Sequence, residues 1–472
     1  MTAPREKPSP LFAALLFFGA FLPRLGIALA WSGEPVWDGH YYDFGARRIA
    51  EGFGYSDSSF VGGLEIWHPW CHYPVGYSAF LALFYRLFGE STRVAPIVNS
   101  VVGALLSVVT WLLARHATSE KRSRIAAVLV AFDPELVLYG ALLMTEPLAA
   151  LFTFTSFWLA VRDRSWRGLA AGALVLGVGA LVRPQALLCA PFLALASAPK
   201  MISIDSLKRA VVACVLTLVP VMPWTARNCR VMDGCALVST NAGWNLAIGA
   251  FPRATGRFET LHASDGCRIV TGQVQQDRCW LHYGVGEIEA HPWHWLSLIP
   301  AKLGYTFDHA SFAVEYLHEA RPADWPDSKR EIGRGILTTV HRILMIGAVL
   351  GCIALAPLGR MPRAQIAIAS VGALLAFWAC HEPATFWPLA LFVSIVPWLP
   401  LPGRAPWPPA LVLPIALLGT TVITHAVFFG EDRYHVVVTP VLCLLTAIAF
   451  RTPEKELQKA KREHLEEMPA QR

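Results

Sequence analysis

The chain has 472 residues, of which 54% are hydrophobic and 16% are charged, whereas ordinary soluble domains contain about 25% charged residues. Apolar runs of about 20 residues, each long enough to cross a bilayer, recur along most of its length, which indicates an integral membrane protein. The net charge of +6 lies mostly in short Lys/Arg clusters between these runs, which points to membrane topology and argues against nucleic-acid binding.

The apolar runs predict an all-α polytopic membrane protein, because they lack the two-residue alternation of a membrane β-barrel. The first run follows Arg5 and Lys7 and is long, with no small-residue cleavage site after it, so we interpret it as a retained anchor. About twelve transmembrane helices are predicted, near residues 11–31, 94–114, 124–141, 143–161, 166–182, 185–199, 208–224, 336–357, 364–380, 385–400, 408–428 and 434–450.

The distribution of basic residues predicts the orientation. If the N-terminus is cytoplasmic, every cytoplasmic connection is basic, as the positive-inside rule requires, and the C-terminus is cytoplasmic as well. The basic residues on that side are Arg115, Lys121, Arg122, Arg124, Arg162, Arg164, Arg167, Lys200, Lys208, Arg209, Arg360, Arg363, Arg404, Arg451, Lys455, Lys459, Lys461 and Arg462. The two long loops, about 32–93 and about 225–335, then lie outside the cytoplasm.

These features predict four parts of the chain. Residues 1–224 form an N-terminal transmembrane catalytic module that includes the first outer loop, 32–93. Residues 225–335 form a large extracytoplasmic loop domain, 336–450 the C-terminal transmembrane helices, and 451–472 a charged cytoplasmic tail. Within the first outer loop, 44–52 and the apolar segment 78–88 are expected to be amphipathic helices at the membrane surface.

Cysteines in the outer loops are candidates for disulfide bonds, because disulfides persist outside the cytoplasm. Cys229 with Cys235 and Cys267 with Cys279 are the predicted pairs, with reduced thiols as the alternative. No Cys-x-x-Cys or Cys/His pattern has the spacing of a zinc site.

Polar residues at the outer ends of the predicted spans form a candidate site. They are Asp38, His40, Asp43, Glu146, Arg183, Arg227, Lys302, Arg433 and His435. Ionisable groups at membrane depth are costly, so acids together with arginines suggest a site for an anionic headgroup and a proton acceptor. Four of these residues also have a simpler interpretation: Asp38 and Glu146 as acids at helix starts, Arg183 and Arg433 as anchors at the lipid headgroups.

A set of short motifs resembles the polyprenol-dependent GT-C glycosyltransferases, in the bacterial branch similar to protein O-mannosyltransferases and lipid A aminoarabinose transferases. The motifs extend over nearly the whole chain. They are Asp38-x-x-Tyr41 followed by 46–55, Tyr73-Pro74-x-Gly76-Tyr77 with Phe88-Gly89, Thr145-Glu146-Pro147, Val182-Arg183-Pro184-Gln185, Pro223-Trp224-x-x-Arg227-Asn228, Ser239-Thr240-Asn241-x-Gly243-x-Asn245-Leu246, Ala254-Thr255-Gly256 and Arg433-Tyr434.

The resemblance implies a GT-C fold in a bacterial inner or plasma membrane and an inverting transfer of one sugar from a polyprenyl or dolichyl phosphate to a hydroxyl acceptor. Asp38 would be the base, with Glu146 completing the catalytic pair. The donor phosphate would be bound by Arg183, Arg227, Arg433, Lys302 and His435. The sugar and the acceptor loop would involve His40, Tyr41, Tyr73, Asn228, Asn241 and Asn245.

Gly39 departs from the family pattern, because many relatives have a second acid directly after the aspartate. A metal held by adjacent carboxylates is therefore not expected; catalysis is predicted to need no cofactor, although a divalent metal is compatible with the family. The expected partners are the polyprenyl-phosphate sugar donor, a protein, lipid or glycan acceptor, and membrane lipids. Mannose is the sugar that the family suggests.

Two other functions are compatible with the sequence. A transporter or flippase for a lipid-linked sugar would also need many spans and basic headgroup sites, but the halves show no inverted repeat and the polar groups gather on one face. A ligase that transfers a whole glycan from a diphosphate carrier would fit the large outer loop.

Overall fold

The computed structural model describes residues 7–31, 33–198, 203–355, 363–382, 384–399 and 407–450. Several basic residues used for the predicted topology, namely Lys200, Arg360, Arg404 and those of the tail 451–472, lie outside the described residues, as does Arg5.

Helices dominate the described chain. The N-terminal half contains α1 (Pro10–Ala30), α2 (Asp38–Ala50), α3 (Val75–Phe88), α4 (Val94–Ala114), α5 (Glu120–Phe132), α6 (Pro134–Leu138), α7 (Glu146–Arg162), α8 (Trp166–Val182), α9 (Ala194–Ser197), α10 (Ile204–Leu218) and α11 (Met222–Val231). The remainder contains α12 (Ala242–Ile248), α13 (Gln273–Ala290), α14 (Pro292–Ser297), α15 (Ile299–Phe307), α16 (Phe312–Ala320), α17 (Asp327–Ala354), α18 (Arg363–His381), α19 (Trp387–Ile395), α20 (Pro409–Val427) and α21 (Thr439–Ala449). Five segments are 3-10 helices: Pro184–Leu193, Ala263–Asp265, Cys267–Ile269, Val396–Trp398 and Asp432–Val438.

Five described helices are long and apolar enough to cross a membrane: α1, α4, α17, α20 and the continuous segment Asp432–Ala449. The pair α10 and α11, which is bent by 51°, would make a sixth. The chain is thus an integral membrane protein, as predicted. A helical segment occupies each of the predicted spans, but several are short or broken, so the count of about twelve is consistent with the structure and not established by it.

The predicted span 124–141 is broken at Asp133, which separates α5 from α6. Asp133 accepts a hydrogen bond from the backbone nitrogen of Leu136 (2.9 Å) and so caps α6. The fully buried Arg24 of α1 donates to the carbonyl oxygens of Ala131 (2.6 Å) and Val130 (3.0 Å). A helix end leaves carbonyl groups without partners, and Arg24 supplies the donors that lipid cannot.

The first loop contains a hairpin that the sequence did not predict. Strands β1 (Ser56–Val61) and β2 (Leu64–Pro69) pair antiparallel, with Ser56 opposite Pro69 and Val61 opposite Leu64. The two turn glycines, Gly62 and Gly63, have positive φ angles, which glycine adopts without steric cost. The helix predicted at 44–52 starts earlier, at Asp38, and the segment predicted at 78–88 belongs to α3.

The second long loop folds over the start of the last span. Both predicted disulfides are present, Cys229–Cys235 and Cys267–Cys279. The turn between α20 and the 3-10 helix Asp432–Val438 is joined to this loop by a hydrogen bond from the nitrogen of Gly430 to the carbonyl oxygen of Gly256 (2.8 Å). The residues that follow the turn therefore face both long loops.

Candidate active site

Asp38 is the first residue of α2, and the residue before it has an unusual backbone. Trp37 has φ of 52°, the one positive value among the described non-glycine residues. Such a conformation costs free energy and persists where packing holds it. The Trp37 ring packs against Phe312 (centroids 5.4 Å apart) and Tyr316 (5.9 Å), both on α16. This packing orients the start of α2 and hence the carboxylate of Asp38.

Both carboxylate oxygens of Asp38 accept hydrogen bonds from distant parts of the chain. The hydroxyl of Tyr73 donates to Oδ1 (2.6 Å), and Nη1 of Arg433 donates to Oδ2 (2.6 Å). Burial alone would raise the pKa of Asp38, but the Arg433 guanidinium and the Tyr73 hydroxyl outweigh it and hold the pKa below its usual range. Asp38 is therefore ionised in this state.

Glu431 is a second acid on Arg433, and the sequence did not single it out. Its Oε2 lies 2.5 Å from Nε of Arg433, in an ion pair that is not aligned for a hydrogen bond. Desolvation of this partly buried carboxyl group raises the pKa of Glu431 to about 7, against the opposing effect of Arg433. One guanidinium thus lies between two carboxyl groups of different basicity.

A second ion pair joins Glu146 and Arg183. Glu146 is the first residue of α7 and is fully buried, and its Oε1 lies 2.5 Å from Nη1 of Arg183 at the end of α8. The same Nη1 donates to Oγ1 of Thr145 (3.1 Å). The other oxygen of Glu146 has no hydrogen-bond partner among the described residues. Both predicted catalytic acids therefore start helices, where the positive end of the helix favours a negative charge.

Tyr434 connects the two ion pairs. The guanidinium carbon of Arg183 lies 5.4 Å from the centre of its ring, and that of Arg433 lies 5.1 Å from it. We refer to Asp38, Glu146, Arg183, Glu431 and Arg433 as the acid–arginine cluster. It brings together the starts of α2 and α7, the end of α8 and the turn before the last span.

An aromatic wall stands beside Asp38. The ring of Tyr41, 43% exposed, lies 5.5 Å from that of Tyr73 and 5.9 Å from that of Trp70. His40 is also exposed, with its ring 5.6 Å from Tyr41. Three of the residues predicted for the sugar or acceptor, His40, Tyr41 and Tyr73, therefore lie next to the proposed base.

Arg227 and the three predicted asparagines lie away from the acid–arginine cluster. Arg227 donates to the carbonyl oxygens of Trp70 (2.9 Å) and Tyr55 (2.7 Å), so it holds the first loop to α11 instead of facing Arg433. The amide of the buried Asn228 donates to the carbonyl oxygen of Ala236 (3.1 Å).

Asn241 and Asn245 belong to the start of α12. Oδ1 of Asn241 accepts a hydrogen bond from Oγ of Ser239 (2.9 Å), and its carbonyl oxygen accepts one from the nitrogen of Asn245 (3.0 Å). These contacts order the second long loop locally, and none of them reaches the cluster.

Lys302 and His435, predicted to bind the donor phosphate, point elsewhere. Nζ of the buried Lys302 donates to the carbonyl oxygen of Val427 (3.2 Å), and burial lowers its pKa to about 7. His435 is fully buried, with Nε2 2.9 Å from Oε2 of Glu135 and Nδ1 2.9 Å from the carbonyl oxygen of Thr306. Because both ring nitrogens already have protein partners, the structure does not support a role for His435 at the donor phosphate.

The environment of Gly39 explains why a second acid is absent at this position. A Cβ atom there would overlap the hydroxyl of Tyr316 and lie 3.0 Å from the carbonyl oxygen of Leu143. A larger side chain fits only if the side chain of Tyr316 shifts. Catalysis without a metal stays a prediction.

A small crevice lies beside the cluster, and its volume of about 20 Å³ is room for about one water molecule. It lies between α7, the 3-10 helix Pro184–Leu193, α20 and the segment Asp432–Val438. Its lining combines charged, hydroxyl and apolar side chains: Ala149, Thr153, Arg183, Gln185, Ala186, Leu417, Thr421, His425, Tyr434 and Val437. The crevice has a cationic end at Arg183 and a mainly apolar interior.

Comparison with protein families supports the resemblance noted in the sequence. Residues 72–226 match the family model described as Dolichyl-phosphate-mannose-protein mannosyltransferase. This match agrees with the resemblance to the GT-C glycosyltransferases over the matched part of the chain. The matched stretch contains Tyr73, Glu146 and Arg183. A comparison with curated proteins finds no match.

Solved structures give weaker likenesses to this chain. The oligosaccharyltransferase AglB from Archaeoglobus fulgidus, in complex with an inhibitory peptide and a dolichol-phosphate, is 12% identical over 98% of the chain, with a TM-score of 0.42. The chain spans 52% of the length of that protein. ArnT from Cupriavidus metallidurans, bound to undecaprenyl phosphate, is 14% identical, with a TM-score of 0.35 over 98% of this chain and 81% of ArnT.

Proposed function

We propose that this chain is a membrane glycosyltransferase that moves a single sugar from a polyprenyl-phosphate donor to a hydroxyl acceptor, with Asp38 as the base. The observation that carries the proposal is the pair of contacts made by Arg433 and Arg183 with carboxylates on either side of Tyr434. A transfer from a lipid phosphate needs a proton acceptor and cations for the phosphate, and both occur here within one cluster.

The proposed reaction uses the negative charge of Asp38 and the positive charges of Arg183 and Arg433. The acceptor oxygen attacks the anomeric carbon of the sugar from the side opposite the phosphate, and Asp38 takes the proton of the hydroxyl. The bond between the anomeric carbon and the phosphate oxygen breaks, so the configuration inverts. The lipid phosphate leaves with one more negative charge, which Arg183 and Arg433 stabilise.

The crevice beside Arg183 marks the side from which a lipid-linked donor would approach. Arg183 and Tyr434 suit the phosphate, and α7 and α20 would have to separate to admit the first isoprenoid units, because the crevice holds only about 20 Å³. The aromatic wall of Tyr41 and Tyr73 suits the apolar face of a sugar ring beside Asp38. The matched family model supports mannose as the sugar and a protein as the acceptor to be tested first. We place the cluster on the extracytoplasmic face and both termini in the cytoplasm.

Transfer is tested with the purified protein in lipid nanodiscs. Radiolabelled polyprenyl-phosphate mannose is the donor, isolated cell envelopes are the acceptor source, and label that leaves the lipid phase is counted. Asp38→Asn removes the proton acceptor and keeps the size of the side chain, so the rate should fall by about 10²- to 10⁴-fold. Asp57→Asn, the same change on strand β1 outside the cluster, should transfer at the normal rate.

Two outcomes contradict the proposal. In proteoliposomes that contain the protein, movement of labelled donor across the membrane without transfer to any acceptor would favour the transporter. Normal transfer by Asp38→Asn would exclude Asp38 as the base, whatever the substrate.

A further inference from the structure

The acid–arginine cluster has an excess of negative charge. Its three carboxyl groups, on Asp38, Glu146 and Glu431, face two guanidinium groups, on Arg183 and Arg433. A sugar-linked polyprenyl phosphate is a phosphodiester and brings one further negative charge. Like charges in a partly desolvated site repel each other strongly, so the donor binds well only if one carboxyl group becomes neutral.

The contacts distinguish the three carboxyl groups. Glu146 is fully buried and paired with Arg183 at 2.5 Å, and Asp38 accepts two aligned hydrogen bonds. Glu431 has the ion pair with Nε of Arg433, and its Oε2 accepts no aligned hydrogen bond from the described residues. Protonation therefore costs the fewest directed contacts at Glu431, and the pKa of about 7 agrees with this order.

We infer that Glu431 takes up a proton when the donor phosphate binds to Arg433, and that this exchange frees the guanidinium for the phosphate while Asp38 stays ionised as the base. The inference rests on the proposed function, since it assumes a lipid phosphodiester at the cluster. It assigns to Glu431 the role of a positioning residue, which acts through Arg433 and keeps the charge of the occupied site in balance.

The backbone around Arg433 allows the side chain to change partners without moving the span. Oδ2 of the neighbouring Asp432 accepts hydrogen bonds from Oγ of Ser311 (2.8 Å) and from the nitrogen of Phe312 (2.9 Å). His435, one turn further on, is held by Glu135. These contacts are made by Asp432 and His435 and not by the ion-pairing atoms of Arg433, so the ion pairs of Arg433 can rearrange around a main chain that its neighbours hold.

Other charged groups face Glu431 or its turn. Asp38 from α2, Glu146 from α7 and the adjacent Asp432 are negative and favour its protonation, whereas Arg433 opposes it. Lys302 of α15 binds the carbonyl oxygen of Val427 on the other side of the turn and titrates in the same range, so it needs a control.

The test measures binding of an unreactive phosphodiester, undecaprenyl methyl phosphate, to the full-length protein in nanodiscs from about pH 5.5 to about 9. This probe has no sugar to transfer and carries one negative charge over the whole range. Below about pH 6 Glu431 is already protonated and the affinity should be constant. Above about pH 7 the proton must be taken up, so the dissociation constant should rise about tenfold per pH unit.

Glu431→Gln should remove this dependence and bind the probe at about pH 8.5 as tightly as the wild type does at about pH 6. Lys302→Met is the matched control and should keep the wild-type slope. Calorimetry in two buffers with different ionisation heats should report the uptake of about one proton at about pH 8 in the wild type and almost none in Glu431→Gln.

The outcomes separate the inference from the function. No binding of the probe at any pH would contradict the proposed donor site. Binding that is independent of pH in the wild type, or a slope that persists in Glu431→Gln, would overturn the inference alone. If Glu431→Gln does not fold, Glu431→Ala takes its place, and absence of proton uptake by the wild type at about pH 8 overturns the inference without any variant.

Discussion

Nη1 of Arg433 lies 2.6 Å from Oδ2 of Asp38, although 395 positions separate the two residues in the sequence. The contact joins the start of α2 to the segment that begins the last span, so the proposed base and a proposed phosphate ligand are held by opposite ends of the chain. Any rearrangement of Arg433 changes the environment of Asp38. Under the proposed function, one guanidinium therefore couples binding of the donor to activation of the acceptor.

Replacement of the cluster arginines should weaken binding of the donor and also slow the transfer step, because the proposed function has both arginines bind the phosphate and stabilise the charge it gains on leaving. Arg433→Lys and Arg183→Lys keep the charge but lose the planar pair of donors that suits a phosphate. We expect each to raise the KM for the polyprenyl-phosphate donor about 10- to 100-fold. Steady-state kinetics with varied donor concentration measures this. An unchanged KM in both variants would contradict the assignment of the phosphate to this cluster.

Arg227→Lys provides the matched comparison. Its guanidinium bonds to the carbonyl oxygens of Trp70 and Tyr55, so the change should lower the melting temperature and alter the donor KM less than Arg433→Lys does. The reverse order of effects would show that Arg227 contacts the donor.

The sequence predicted the long apolar helices well, because hydrophobicity over about 20 residues is a local property. The expected ranges 94–114 and 166–182 coincide with α4 and α8. The hairpin of β1 and β2 was missed because β1 is mostly polar, although Gly62-Gly63 before Leu64 and Ile66 is a turn signal typical of a two-residue hairpin. The break at Asp133 was missed because Arg24, which belongs to another helix, donates to the carbonyl oxygens of Val130 and Ala131. The sequence of α5 and α6 alone does not show this contact.

For the candidate site, the sequence located residues at the ends of the spans but not the direction in which each side chain points. Asp38, Glu146, Arg183 and Arg433 stand at span ends, which sequence patterns can locate, and the structure brings them together. Whether an arginine or histidine at such a position faces the site or another protein group depends on packing. Arg227 and His435, predicted at the donor phosphate, bond to backbone carbonyl oxygens and, for His435, to Glu135. Glu431 lies two residues before Arg433, yet only the contact between their side chains reveals it.

Gly39 should tolerate no side chain. In Gly39→Ala the new methyl group overlaps the hydroxyl of Tyr316, and overpacking of this kind costs about 1–3 kcal/mol. We expect a lower melting temperature and a lower transfer rate, because α2 carries Asp38. Tyr316→Phe removes the hydroxyl and should restore part of both losses when combined with Gly39→Ala. Full activity of Gly39→Ala alone would show that α16 moves freely.

The two disulfides predict which cysteines react with alkylating reagents. Denatured protein without reductant should be alkylated at six cysteines and protected at Cys229, Cys235, Cys267 and Cys279. Reductant should expose all four. Mass spectrometry of protein purified under thiol-blocking conditions measures this. Because disulfides persist outside the cytoplasm, alkylation at all ten cysteines would contradict the extracytoplasmic location proposed for 225–335.

Lys302 should make stability depend on pH. Burial lowers its pKa from 10.5 to about 7 in the folded protein, so the unfolded state binds more protons between about pH 7 and about pH 10. The free energy of unfolding therefore rises with pH across this window. Lys302→Met removes the buried amine, so its melting temperature should exceed that of the wild type near neutral pH and rise less towards about pH 10. Lys329→Met, a change at an exposed lysine of α17, should keep the wild-type profile. Identical pH profiles for Lys302→Met and the wild type would show that the Lys302 amine keeps its ordinary pKa in the folded protein.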